Sequence, residues 1–240
     1  HTRSLRVTGV QTCALPIEWL AERQCKLALE NSGHICLSVY SSGGFRQLGN
    51  ATKPVHVPND MKGLKWRTTK SPIEFMLVKN WGATPTPYDW SQLYSGLQSG
   101  VVEGQYVASP WQHVAKLHEV AKYFTEIGGM WSGNILAMDA KQYNALSSQE
   151  KKWLHKAADA YGEKVNQLDN AWIKNGEDAI KASVKEWYVP SDAEMSKWRA
   201  GAIGAWVKAK GTFEPEVAKR VLLEQGMDGF VAQLEKAGAL

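Results

Sequence analysis

The amino-acid sequence predicts an α/β fold, because short apolar or β-branched segments alternate with amphipathic helical segments along most of the chain. This alternation is typical of sheets whose strands are mostly parallel. The composition agrees with a globular protein, since the 240 residues are 44% hydrophobic and 22% charged. These values exclude disordered, collagen-like and coiled-coil chains.

The first predicted elements begin at residue 18. Residues 18–31 show helical spacing of apolar side chains, and Gly33 follows them, as glycine often does just past a helix end. Residues 35–40 are apolar and β-branched, which predicts a strand. We expect this strand to end at the Ser-Ser-Gly-Gly run of residues 41–44. The proline-containing residues 54–60 predict a long surface loop.

The middle of the chain continues the alternation. Residues 64–69, LKWRTT, predict a short strand. Ser71 and Pro72 are typical of an N-cap and first helical position, and the helix they begin ends near Gly82. Residues 101–107 predict a further strand.

Two more helices are predicted around that strand. Asp89 and Gln92 predict a capping pair for the helix before it. Ser109 and Pro110 begin the helix after it, whose apolar spacing continues to Phe124.

The second half of the chain contains a very long helical pattern. A strand is predicted at residues 134–138, and Ser147 with Glu150 then forms a capping box. The pattern that follows is longer than a normal globular helix, so we expect it to bridge two lobes. A last short strand at residues 186–189 precedes two or three further helices.

Charge and hydropathy exclude several classes of partner. The net charge is +4, and basic residues occur in pairs among interspersed acids, so no nucleic-acid partner is expected. No apolar run reaches the length of a membrane-spanning helix. The eleven tryptophans indicate large buried surfaces or a ligand pocket lined by rings.

The three cysteines do not form a disulfide framework or a zinc motif. Cys25 and Cys36 are able to pair in an oxidising compartment, but the sequence favours buried free thiols. Cys13 falls in residues 1–17, which lack helix and strand periodicity and the apolar core of a signal peptide. We interpret residues 1–17 as an adapter-like, non-native segment.

Known catalytic motifs are absent from the sequence, including a nucleophile elbow, a P-loop and H-E-x-x-H. His113 and His118 are five residues apart, which on one continuous helix places them on different faces. Asp89, Glu103 and Glu119 have no paired partner at motif spacing. We therefore expect a protein that is not an enzyme and that uses no cofactor and no metal.

Two arginines occupy informative positions. Arg46 follows Gly-Gly-Phe after a strand, and Arg67 lies inside the apolar strand LKWRTT. A guanidinium in a strand needs an acceptor, because it does not lose its charge by deprotonation. The acceptor is either a carboxylate of the protein, which the spacing slightly favours, or a carboxylate of a ligand, since ligands of α/β sheets bind in crevices at strand ends.

Four stretches of the sequence resemble the substrate-binding proteins of tripartite ATP-independent periplasmic (TRAP) transporters, and they occur in the family's order. They are GGFRQLGNATKPVHVPNDMKGLKWRTT, GATPTPYDWSQLYSGLQSGVVEGQ, KLHEVAKYFTE and NALSSQEKKWLHKAADA. The resemblance implies a two-lobed, periplasmic-binding-protein-like fold (type II-like). Such a protein captures a small organic acid in the periplasm and delivers it to the membrane subunits of a TRAP transporter.

The resemblance also implies the binding residues. In the family, an arginine in the strand after a G-L-K motif binds the ligand carboxylate, and Arg67 is the matching residue. Arg46 matches an arginine that often assists. The family's V-V-D-G-Q-E-N-P segment is similar to VVEGQYVA, which adds Gln105 and Tyr106. Val107 stands where the family often has a ligand-contacting asparagine, and this departure weakens the expectation of a sugar-acid ligand.

Aromatic side chains are candidates for a wall around the apolar part of the ligand. They are Trp66, Tyr106, Trp111 and Trp131. For each of them, packing in the core is the favoured alternative. Trp66 is the weakest candidate, because it alternates with Arg67 along the same strand.

The expected domain organisation follows the two-lobed family. Residues 18–44 and 129–170 are the predicted remnant of the first lobe. Residues 45–128 and 171–240 are the predicted second lobe with C-terminal helices. Family chains begin well before this one, so we expect the first lobe to be incomplete and the signal peptide to be missing.

Other functions remain open at this point. The same fold serves ligand-binding sensors and the binding proteins of ABC-type importers, which gene neighbourhood distinguishes from a TRAP protein. An enzyme with a two-lobed cleft is disfavoured by the missing catalytic motifs. A carbohydrate-binding module is supported only by the tryptophan count, and the long helices argue against it.

Overall fold

The computed structural model describes residues 18–240, and backbone contacts group them into two compact units. Unit 1 contains the described residues up to Phe45 together with residues 130–176. Unit 2 contains residues 46–129 and 177–240. The adapter-like segment of residues 1–17 lies outside the described residues.

Residues 18–240 alternate between strands and helices, and the α/β class is confirmed. The strands are β1 (His34–Asn50), β2 (Lys65–Thr68), β3 (Thr84–Pro87), β4 (Gly104–Ala108), β5 (Tyr123–Thr125), β6 (Trp131–Asp139) and β7 (Glu186–Tyr188). The α-helices are α1 (Glu18–Ser32), α2 (Pro72–Asn80), α3 (Leu93–Gln98), α4 (Ser109–Val114), α5 (Ala140–Ala145), α6 (Ser148–Lys181), α7 (Asp192–Ala209), α8 (Pro215–Glu224) and α9 (Asp228–Lys236). Short 3₁₀ turns are present at Pro58–Met61, Trp90–Gln92 and Leu117–Glu119. None of the helices among these residues combines the length and apolarity that a bilayer crossing requires.

The sheet of unit 2 has mixed strand directions. Its order is β3-β2-β4-β1-β5-β7. The pairs β2–β3, β2–β4 and β5–β7 are parallel, whereas the end of β1 is antiparallel to both β4 and β5. The expectation of mostly parallel strands is therefore wrong for β1. This strand enters unit 2 directly from unit 1, without the helical crossover that joins parallel neighbours.

Strand β1 does not end at its Ser-Ser-Gly-Gly run, contrary to the prediction. It pairs with β6 throughout unit 1, with a register shift between Ser41 and Gly44. Gly43 and Gly44 have φ values of 88° and 70°, and the Gly43 N–H donates to Oδ1 of Asp169 on α6 at 2.9 Å. The two glycines therefore allow an irregular kink within a continuing strand, because only glycine adopts these angles without strain.

The predicted helix from Ser109 to Phe124 is also interrupted. Helix α4 ends at Val114, and Lys116 has a left-handed φ of 56°. Phe124 lies in β5, where it is buried. Its ring stacks on that of Trp187, with 5.9 Å between the ring centroids. The apolar spacing is thus used by two separate elements, which a local pattern does not distinguish from one helix.

This interruption changes the position of the two histidines. The rings of His113 and His118 lie 5.1 Å apart, rather than on different faces of one helix. Burial lowers the pKa of His118. Within residues 18–240, no group of three or more His, Cys, Asp or Glu side chains is arranged to hold a metal ion.

The structure confirms the capping box predicted before α6 and contradicts the capping pair predicted at Asp89. The Ser147 N–H donates to Glu150 at 2.8 Å, and the Glu150 N–H donates to Oγ of Ser147 at 3.2 Å, so the predicted capping box before α6 is confirmed. Asp89 makes no side-chain capping bond at the turn that follows it, so that prediction is wrong.

Cys25 of α1 and Cys36 of β1 form a disulfide in unit 1. The preference for free thiols is therefore wrong. Eleven residues separate the two cysteines in the chain, and spacing alone did not show that α1 folds back beside β1.

We expect replacement of both cysteines by serine to lower the free energy of unfolding by about 2–4 kcal/mol, because the cross-link restricts the unfolded chain. Urea denaturation of the oxidised protein and of the double variant measures this difference. Reduced wild-type protein should match the variant, and Cys13→Ser is the control. Equal stability of oxidised and reduced protein would contradict the assignment.

A second capping box begins α7. The hydroxyl and N–H of Ser191 donate to Oε2 of Glu194 at 2.7 and 2.8 Å, and the Tyr188 hydroxyl donates to it at 2.8 Å. The Ser191 side chain, the Ser191 N–H and Tyr188 together lower the pKa of Glu194 to about 2. The ionised carboxylate therefore stabilises the folded state above its ordinary pKa of 4.5, and this contribution is lost as the pH falls through about 2.

We expect Glu194→Gln to lower the melting temperature at pH 7 and to lower it less at pH 3, where the wild-type protein has lost part of this stabilisation. Thermal melts of both proteins across this range measure the gap. Glu163→Gln, on an exposed position of α6, is the control. A gap that stays constant from pH 7 to pH 3 would show that the carboxylate charge is not the cause.

Candidate functional site

Arg67 lies on β2, between β3 and β4 in the sheet of unit 2. The neighbouring residue, Trp66, is fully buried, and its ring packs over Gly104 of β4. A Cβ atom at Gly104 would overlap this ring. Gly104 therefore leaves room for the large indole of Trp66 against β4, and this packing fixes the strand that carries Arg67.

The Arg67 side chain is buried, with 6% of its surface exposed. Its Nε donates to the carbonyl of Tyr88 at 3.0 Å, which orients the guanidinium. Within residues 18–240, its Nη atoms make no hydrogen bond and it forms no ion pair. Burial lowers the pKa of Arg67, and the charge of Glu74 acts in the opposite direction. The group that the sequence singled out is thus a buried cation without a carboxylate of the protein at ion-pair distance.

Arg46 differs from Arg67 in having an internal carboxylate. It lies on β1 opposite Ala108 of β4, and its Nη1 is 3.6 Å from Oε1 of Glu74. Its side chain is a quarter exposed, whereas that of Glu74 is 2% exposed. For Arg46 the structural salt bridge considered from the sequence is therefore present.

Glu74 is the residue of this cluster that the sequence analysis missed. It lies in the first turn of α2, where its N–H donates to Oγ of the N-cap Ser71 at 3.3 Å. Its Oε2 accepts the N–H of Thr69 at 2.9 Å and also the Thr69 hydroxyl. The spacing of Ser71 and Glu74 matches a capping box, so the sequence contained a signal for this glutamate.

Tyr106 and Gln105 are adjacent on β4, and both are fully buried. The Tyr106 hydroxyl lies beside the backbone of Gly129, within electrostatic reach of Arg46 and Glu74. Burial raises the pKa of this hydroxyl well above its usual range. Gln105 instead donates through Nε2 to the side chain of Gln112 on α4.

The two remaining predicted residues are tryptophans in different units. Trp111 lies on α4 in unit 2 with 37% of its surface exposed. Trp131 belongs to β6 of unit 1, where its ring packs over Gly133. The structure therefore brings Arg67, Arg46 and Tyr106 together around Glu74 in unit 2, and it leaves Trp131 in unit 1.

Two surface grooves are separate from these arginines, since neither of them is lined by Arg46 or Arg67. A groove of about 570 Å³ lies along α6 of unit 1. A second groove of about 300 Å³ lies at the start of α2 and shares Thr69 with the Glu74 cluster. Its described lining residues are Thr69, Lys70, Ser71, Pro72, Phe75, Met76, Pro87 and Lys208.

The family profile of the bacterial extracellular solute-binding proteins, family 7 (DctP), matches residues 19–211. The chain belongs to the DctP family. The resemblance to TRAP substrate-binding proteins that the sequence motifs indicated is thereby confirmed.

Similar DctP-family proteins include several with named ligands. The chain is 32% identical to the ectoine-binding periplasmic protein TeaA of Halomonas elongata over 124 residues, which cover 52% of this chain and 36% of TeaA. It is 29% identical to the 2,3-diketo-L-gulonate-binding periplasmic protein YiaO of Escherichia coli over 143 residues, which cover 60% of this chain and 43% of YiaO. The aligned region spans less than half the length of each of these relatives.

Solved structures of TRAP solute-binding proteins have the same fold as this chain. The periplasmic ectoine-binding protein of the TeaABC TRAP transporter of H. elongata matches with a TM-score of 0.71 at 26% identity, covering 90% of this chain and 68% of that one. A TRAP periplasmic solute-binding protein from Shewanella oneidensis with bound succinate matches with a TM-score of 0.76 at 20% identity, covering 89% and 66%.

We expect Gly104→Ala to destabilise this DctP-family chain by about 1–3 kcal/mol, because the added methyl group overlaps the Trp66 ring in a packed core. Urea denaturation followed by tryptophan fluorescence measures the loss. Gly229→Ala is the matched control, since a Cβ there meets open space. Equal stability of the two variants would show that the close packing of Trp66 on Gly104 is not required.

Proposed function

We propose that this protein is an extracytoplasmic solute-binding protein that captures an organic carboxylate in the periplasm and delivers it to the membrane subunits of a TRAP transporter. The observation that carries the proposal is the buried Arg67 guanidinium, whose Nη atoms make no hydrogen bond within the described residues. Membership of the DctP family supports the transport role.

Arg67 is suited to recognise a carboxylate. A guanidinium presents parallel N–H donors that match the two oxygens of a carboxylate, and this geometry gives orientation as well as energy. Because Nε is already held by the Tyr88 carbonyl at 3.0 Å, the terminal Nη groups are placed before the ligand arrives. A hydrogen bond to a charged group is worth about 1.5–3 kcal/mol. The ligand carboxylate then supplies the negative counter-charge for the buried Arg67 guanidinium.

The other candidate residues have supporting roles in this proposal. Arg46 and Tyr106 lie in the same electrostatic cluster as Arg67. Their role is to complete the polar surroundings of the carboxylate. Trp111, which is partly exposed on α4, is proposed to contact the apolar part of the ligand. Gln105 is proposed to hold β4 against α4 through Gln112, and a ligand contact for Trp131 stays a prediction.

We further propose that the ligand is bound and released unchanged, without a cofactor. The similar proteins carry the names of binding proteins rather than of enzymes. Their ligands and those of solved relatives define a first panel of candidates, namely ectoine, D-glucuronate, succinate and L-malate.

We expect Arg67→Ala to weaken binding of the best ligand of this panel about 100-fold or more, which corresponds to about 2.8 kcal/mol. Arg67→Lys should also bind more weakly, because an ammonium lacks the two-pronged geometry. A thermal-shift screen selects the ligand and isothermal titration calorimetry measures the affinities.

Arg220→Ala provides the control for this experiment, since Arg220 lies on α8 beside Glu224. Circular dichroism checks that each variant is folded. Unchanged affinity of a folded Arg67→Ala protein would overturn the assignment of Arg67. Binding of no carboxylate by the wild-type protein would overturn the proposed function itself.

A further inference from the structure

The Glu74 carboxylate is a fixed negative charge inside a site that is proposed to bind anions. It is 2% exposed, and its Oε2 is held by both the N–H and the hydroxyl of Thr69. The N-cap Ser71 holds its backbone at the start of α2. The carboxylate is therefore a rigid part of the site rather than a mobile surface charge.

The other oxygen of this carboxylate, Oε1, has no hydrogen-bond donor within residues 18–240. Oε1 is buried and accepts no hydrogen bond within residues 18–240, and its 3.6 Å separation from Nη1 of Arg46 is that of an ion pair without a hydrogen bond. Buried acceptors in folded proteins almost always have a donor, because an unfilled acceptor loses its hydration without compensation. The acceptor that Oε1 leaves unfilled matches a hydrogen-bond donor such as a hydroxyl or an N–H group.

The charges of the cluster point to the same ligand class. Glu74 carries one negative charge beside the positive charges of Arg46 and Arg67. The net positive charge that the cluster presents to a ligand is therefore lower by one elementary charge. Asp89 acts on Arg67 more weakly than Glu74 does and is exposed to solvent, which screens it. A ligand carboxylate on Arg67 is compensated, whereas a second carboxylate close by meets the buried charge of Glu74, where repulsion is poorly screened.

We infer that Glu74 determines the charge selectivity of the site: it favours ligands that pair one carboxylate with a neighbouring hydrogen-bond donor, and it disfavours dicarboxylates. This inference rests on the proposed function, because it assumes that Arg67 binds the ligand carboxylate. Glu74 acts here as a specificity-determining residue, through its charge and through Oε1.

The test uses two pairs of probes that differ by one carboxylate at equal carbon number. These are D-gluconate with D-glucarate, and butyrate with succinate. We expect the wild-type protein to bind the monocarboxylate of at least one pair at least tenfold more tightly than its dicarboxylate. We expect D-gluconate, which carries hydroxyl donors, to bind more tightly than butyrate. Isothermal titration calorimetry of the full chain measures all four affinities.

Glu74→Gln keeps the shape of the side chain and an oxygen for the Thr69 donors, but it removes the charge. We expect it to shift the ratio of dicarboxylate to monocarboxylate affinity at least tenfold toward the dicarboxylate. Glu126→Gln is the matched control. Glu126 is also a glutamate of unit 2 that accepts a hydrogen bond, from Nε1 of Trp187 at 2.9 Å, and its charged neighbours are Glu177 and Lys181 rather than arginines.

The outcomes separate this inference from the proposed function. An unchanged ratio in a folded Glu74→Gln protein overturns the inference while Arg67-dependent binding still stands. An equal shift in Glu126→Gln overturns it as well, because the effect is then one of overall charge. If the variant does not fold, the wild-type protein decides, since a preference for the dicarboxylate of either pair overturns the inference. Binding of no carboxylate overturns both proposals.

Discussion

A guanidinium buried in a β-strand without a carboxylate of the protein at ion-pair distance is the constraint on which this site depends. Taking a cation out of water is costly unless an acceptor replaces the lost hydration. The Tyr88 carbonyl satisfies only Nε of Arg67, so the remaining donors require an acceptor from outside the described residues. The close packing of Trp66 on Gly104 also positions this guanidinium, because it fixes the strand on which Arg67 lies.

The two arginines of the cluster have different electrostatic surroundings, and this difference has chemical consequences. Glu74 lies at ion-pair distance from Arg46, whereas it influences Arg67 only over a longer distance. One cation is thus compensated internally, and we propose that the other binds the carboxylate of a ligand. The N–H and the hydroxyl of Thr69 both donate to Oε2 of Glu74 and so hold this carboxylate in place.

Local sequence patterns predicted helices correctly where residues within one turn decide the structure. Ser71 and Ser147 cap the helices that they were expected to begin, because a cap depends on residues within one turn. The patterns failed where distant contacts decide. Strand β1 passes through Gly43 and Gly44 because β6 and Asp169 hold it, and the helix expected to reach Phe124 divides because that ring packs on Trp187.

The sequence by itself determined the α/β class and the family, because these follow from periodicity and motif order, and it singled out Arg67 as a candidate because a permanent charge lies in an apolar strand. Only the tertiary structure decided which acceptors surround that charge. The pairing of Arg46 with Glu74, the burial of Gln105 against Gln112 and the joining of Cys25 to Cys36 all depend on elements that are brought together by folding. Spacing along a chain does not contain those distances.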